Sequence, residues 1–383
     1  MKELRRISIL FSLALLLALG LVIPQPVRAQ VRWQDLVLTG GLSAEGYRGN
    51  LTQVTISAVD STEGASSVVG ELGVRGGLLF FNQPGRSLDL QVDAGLRQFS
   101  AWGFKVRDYA PREWVGQADI TYRQTLTSLG DLWIQGGFDG RSVNDRPPMP
   151  LFIQPGYRTV SGGVGLRLLP MRGAYVDAQL MGEVADYPTT ALAPQLNLLN
   201  RKALGLETGV TWTGLTWGAE RRVRAYLGFG LSGYGNQRTF DPDDPHRRDR
   251  TMTVGATWTL RSNYYVELGV EGTVNRSNSS RPEYDALSLR AVASAPLPHD
   301  LSLTLFADLT DKRYVTKTDF ARLVPGEEAD NASVVYLELA RPIMVNLDGA
   351  VRLGWNRAET DIGDSYFKRY GLSVLLRYRP RER

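Results

Sequence analysis

Over ten consecutive residues, Leu88-Asp89-Leu90-Gln91-Val92-Asp93-Ala94-Gly95-Leu96-Arg97, every even position is apolar and every odd one is charged, polar or Gly. A period of two gives an extended strand one oily face and one wet face, because successive side chains point to opposite sides. The pattern recurs with Trp114, Ala118, Ile120 and Tyr122 against Gln117, Asp119, Thr121 and Arg123. It recurs again with Val176, Ala178, Leu180 and Val184 against Asp177, Gln179 and Glu183, and with Leu347, Val351, Leu353 and Trp355 against Asp348, Arg352 and Asn356. Sixteen such segments follow one another, from 34–47 to 366–378, with 222–232 and 250–261 as the ninth and tenth. No apolar run after residue 30 reaches the length of a spanning helix, and a mean hydropathy of -0.20 excludes a helical membrane bundle. The chain has no Cys and 2 His, which removes disulfide staples, thiol nucleophiles and His-rich metal centres.

Connections carry as much information as strands. Those after even segments are short and turn-like, as in Asn82-Gln83-Pro84-Gly85-Arg86, Pro170-Met171-Arg172-Gly173 and Ser262-Asn263. Those after odd segments are longer and polar or proline-rich, including 48–66, 143–156, 187–200, 233–249 and 313–331. Nothing in a soluble sandwich makes connection length follow strand parity, and a propeller would need a fixed repeat that is not found. An antiparallel meander does, because it sends all turns to one end and all loops to the other. The outer face must be the apolar one: the opposite parity would aim Arg75, Arg97, Arg123, Arg167 and Arg290 at hydrocarbon, at about 2–4 kcal/mol for each Arg near the midplane. An open edge in lipid would leave backbone groups unpaired, so the sheet must close. The expected fold is all-β, a transmembrane antiparallel up-and-down β-barrel of about 16 strands.

The first thirty residues read differently. Lys2, Arg5 and Arg6 precede an apolar stretch, Ile7 to Ile23, and Val27-Arg28-Ala29 forms a small-residue exit. This is the pattern of a secretory signal peptide, expected over 1–29, with the barrel over 30–383. Four basic residues and one acid go with it, so the remainder carries about +1 and the pI of 9.2 is no argument for nucleic acid.

The chain resembles bacterial outer-membrane β-barrels and, by strand count, porins. Its last segment alternates Tyr370, Leu372, Val374, Leu376 and Tyr378, similar to the C-terminal strand signal that the barrel-assembly machinery reads, although Arg379 to Arg383 run on past the usual aromatic stop. The resemblance implies a channel for passive diffusion of small hydrophilic solutes, set in outer-membrane lipid with short turns and both termini periplasmic and long loops extracellular. It also implies a third long loop, 143–156, folded inward across the pore. Arg141, Asn144, Asp145 and Arg146 would then face Arg75, Arg97, Asp119 and Arg123 in a charged constriction. Two alternatives stay open: the loop packs over the mouth, or the lining charges pair and close the lumen of a receptor, adhesin or structural barrel. A homo-oligomer is compatible with either. Neither an enzyme nor a cofactor is expected; His246 beside Asp243 and Asp244 lacks a positioned partner, and the acidic run 241–249 reads as a solvated loop.

Overall fold

In the computed structural model the described residues are 32–49, 65–102, 110–127, 130–144, 156–171, 173–189, 194–216, 218–239, 241–279, 282–316, 332–359 and 366–380. They form a closed antiparallel barrel of sixteen strands, each paired with its neighbours in sequence, with the last against the first. The strands are β1 (Arg32–Gly49), β2 (Ala65–Gln83), β3 (Arg86–Trp102), β4 (Arg112–Thr127), β5 (Gly130–Asn144), β6 (Tyr157–Met171), β7 (Ala174–Asp186) and β8 (Arg201–Thr216). They continue as β9 (Ala219–Arg238), β10 (His246–Arg261), β11 (Tyr265–Ser277), β12 (Tyr284–Leu297), β13 (Leu301–Tyr314), β14 (Ala332–Met344), β15 (Leu347–Glu359) and β16 (Tyr366–Tyr378). The seam between β1 and β16 runs from Leu38↔Tyr378 to Gly49↔Phe367, so no edge is left unpaired there.

Connections after even strands span two or three residues and those after odd strands six to seventeen, and the two kinds occupy opposite rims. Three of the short turns end on glycine in the left-handed region, at Gly85, Gly173 and Gly218, a conformation that side chains resist. The Gly85 and Gly173 carbonyls each accept an N–H from the next strand over, Thr125 and Thr213, both at 2.7 Å. These bonds tie one hairpin to its neighbour.

Leu42, Leu72, Val160, Leu231, Val254 and Val374 illustrate the outer wall: large, apolar and exposed. They alternate with inward polar residues around the whole circuit, as the energetic argument requires.

Two expectations are corrected. The ninth loop, expected over 233–249, shrinks to 239–245 because β9 and β10 extend beyond the apolar band. Gly233 pairs with Arg248 and Tyr234 with Arg247 there, and the polar residues that imitate a loop are the inner face of tall strands. Aromatics near strand ends are expected in girdles at the two membrane interfaces of such a barrel, yet several face inward. Trp133 lies over Gly165, where an added Cβ would sit 2.1 Å from its ring, and the Tyr157 hydroxyl donates to Asp139 at 3.0 Å. The signal-peptide segment 1–29 lies outside the described residues.

Candidate functional site: the charged lumen

Cross-strand register decides which inward charges meet. Arg97 on β3 stands directly opposite Glu71 on β2 and Glu113 on β4. Its guanidinium lies 3.9 Å and 3.5 Å from those carboxylates and donates to Glu45, two strands away on β1. Glu113 also takes Arg141 at 2.7 Å, and Glu45 accepts the Tyr47 hydroxyl and lies 4.0 Å from Arg369. Three arginines and three glutamates thus form one network over β16 and β1–β5 in the half of the barrel nearer the long loops. Glu45 and Glu113 are buried, and the Arg141 side chain is only 10% exposed.

Around the wall, in the same half, a cavity of about 310 Å³ opens to the lumen between β7 and β13. Arg201 is held by Glu183 at 2.9 Å, and Arg247 by Asp249 at 2.7 Å and Gln237 at 3.0 Å. The cations also lie over aromatic faces: Arg247 is 4.1 Å from the centre of Tyr234, and the Lys312 ammonium 4.2 Å from that of Tyr284. Such contacts add roughly 0.5–2 kcal/mol, more as water is excluded. A short 3₁₀ helix, Pro194–Leu199, forms one side of the cavity through Leu199. Gln237 and Asn236 of β9 donate to its Leu198 and Asn197 carbonyls at 2.7 and 2.8 Å.

Lower in the barrel the wall holds two further networks. Arg224 reaches Glu207 at 2.6 Å and Asp177 at 3.2 Å. Gly209 lies under that reach; a Cβ there would come within 2.9 Å of the guanidinium. Near the short-turn rim, Glu338 on β14 accepts Arg352 of β15 at 2.7 Å and Arg377 of β16 at 2.6 Å.

The expected constriction residues therefore divide. Arg97 and Arg141 share the buried network, bound to carboxylates. Arg75 pairs with Asp93 at 2.7 Å but stays open to water, its side chain 76% exposed. Asp119 accepts Gln117 at 2.7 Å. Arg123 faces the lumen, exposed, with no ion pair or hydrogen bond among the described residues. Asn144 ends β5 on the register face of Ser142 and Phe138, which is the outer one, in a row with Arg112 and Gln98. Asp145 and Arg146, with loop residues 145–155, lie outside the described residues. Sequence reasoning missed Glu45, Glu113, Arg369 and Glu338. Each follows the inward parity of its strand, a signal that was available, but their partners are set only by closure of the sheet.

No family model and no curated protein matches the chain. Solved structures share its general architecture. OccK7 (OpdD) of Pseudomonas aeruginosa is 11% identical, with 91% of this chain and 99% of that one covered at a TM-score of 0.40. OprD of the same organism is 10% identical, with 93% and 98% covered at 0.43. OccAB4 of Acinetobacter baumannii is 9% identical, with 92% and 99% covered at 0.42. At these identities and scores the likeness is one of architecture alone, and solute and mechanism have to come from the barrel's own residues.

Proposed function

We propose that the protein is an outer-membrane channel for passive diffusion of small hydrophilic solutes, with the short turns and both chain termini periplasmic and the long loops outside. One observation carries this reading: inward side chains in the short-turn half are exposed although the wall around them is closed. Arg75, Arg222 and Arg290 have side chains 76%, 52% and 55% exposed. Inside a closed barrel, exposure of that size means contact with luminal water, and a sixteen-strand circumference is wide enough to hold it. Arg75, Asp119 and Arg123 line this wet section. Arg97 and Arg141 act as wall supports for a narrower section above it. No catalytic role is assigned.

The buried network on β1–β5 favours a second reading, in which paired charges close the lumen and the long loops bind a partner. Purified barrel inserted in planar bilayers separates the two. Discrete ohmic openings that change size on deletion of 145–155 support the channel; insertion without conductance overturns it in favour of the receptor.

A further inference from the structure

The outer wall carries a feature that solute passage does not use. Above the apolar band on β8–β11, at the long-loop rim, four cations point away from the lumen. Lys202 and Arg248 both pair with Gly233, one from each side, and Arg250 pairs directly with Arg276. Like charges directly opposite one another on neighbouring strands are destabilising. Compensation within the chain is partial. Arg276 meets Asp285 at 2.8 Å and Arg248 meets Asp244 at 3.4 Å, whereas Lys202 and Arg250 make no ion pair or hydrogen bond among the described residues. The space between the cations is open: a Cβ on Gly233 would touch nothing within 4 Å. These four side chains line a depression of about 710 Å³. It runs into an apolar groove of about 490 Å³ below, lined by Leu206, Phe229, Met252 and Val274. The groove floor is two residues down the strands from Arg250 and Arg276, or about 7 Å.

We propose that this face binds a phosphate-bearing acyl lipid of the outer leaflet, of the lipid A type. Its phosphates would sit among Lys202, Arg248, Arg250 and Arg276, and an acyl chain along the groove. The charge pattern selects this occupant. A zwitterionic lipid brings a positive charge of its own to the cluster, free phosphate leaves the groove unused, and a second copy of the chain would need an acidic outer wall to meet the cations. Guanidinium pairs suit phosphate oxygens because each offers a fork of donors. The inference rests on the membrane placement proposed above and not on the lumen being open.

The test uses the full barrel in detergent, titrated with diphosphoryl lipid A, dephosphorylated lipid A, phosphatidylethanolamine and inorganic phosphate, with native mass spectrometry as readout. Diphosphoryl lipid A should bind at least about tenfold more tightly than the other three, the scale expected of one or two lost charge-assisted contacts. Lys202→Gln with Arg250→Gln should abolish that preference, and Gly233→Phe, which fills the depression, should weaken binding as much. Arg313→Gln, on the outer face of β13, should change nothing. Equal binding by parent and double variant, equal binding of inorganic phosphate, or cross-linking of two copies through Phe229→Cys would each overturn the proposal. Conductance recorded on the same preparations is independent of all three outcomes.

Discussion

Arg97 is surrounded by Glu45, Glu71 and Glu113, two of them buried. Taking away one partner of a buried pair leaves the other charged and unsolvated, a loss of about 3–5 kcal/mol, far more than an exposed pair contributes. Arg97→Ala should therefore destabilise the barrel by about that amount. Glu71→Ala, which removes the most distant and less buried partner, should cost about 1 kcal/mol or less. Urea unfolding in lipid vesicles, followed by tryptophan emission, would measure both. Equal effects would mean that the network does not share its charge as the geometry indicates. Arg97 itself was legible from alternation, since an arginine at that parity has to face inward. Glu45 as its partner was not, because β1 and β3 are not neighbours and only curvature of the closed sheet brings the two side chains together.

At the scale of strands, one carboxylate ties the closing element to the two strands before it. Glu338 on β14 takes Arg352 from β15 and Arg377 from β16, and β16 in turn pairs with β1. It is buried, so its two arginines substitute for the water it has lost. Glu338→Ala frees both cations near the seam and should lower stability by about 3–5 kcal/mol. Arg352→Ala leaves Arg377 in place and should cost about 1.5–3 kcal/mol. Retarded migration on heating in SDS, scored across a urea series, would rank the two; an Arg352→Ala effect as large as that of Glu338→Ala would show that Arg377 does not hold the carboxylate alone. Strand positions were readable in advance because the lipid-facing side admits so few residue types. Strand ends were not. On β9 and β10 the outer face beyond the band is polar too, at Arg248 and Gly233, and a strand wet on both faces has the composition of a loop.

Across the whole molecule, lumen charges sort into those embedded in the wall and those standing in water, and the two classes should respond to different measurements. Glu45, Glu113 and Glu338 are buried against arginines, whereas Arg75 and Arg123 are exposed on β2 and β4. Reversing an exposed charge changes the potential a passing ion meets without stranding a buried partner. Arg75→Glu with Arg123→Glu should cost about 1 kcal/mol or less of stability, since Asp93 then faces a like charge, and raise the ratio of cation to anion permeability on the order of threefold, as a change of about half a kT in local potential would produce by acting on the two ions in opposite directions. The shift should depend on salt. The Debye length is about 10 Å at 0.1 M and about 3 Å at 1 M, so a lumen wider than a few ångströms screens the substitution at high salt and feels it at low salt. Reversal potentials across a KCl gradient centred on 0.1 M should move toward the cation value, and those centred on 1 M should barely move. Arg97→Gln should show the opposite profile, with loss of folded protein and little change of selectivity in the channels that remain. If Arg97→Gln shifted the reversal potential as strongly as the Arg75 and Arg123 reversals, the division between wall and water would be wrong. The narrow section would then be set by the buried network itself.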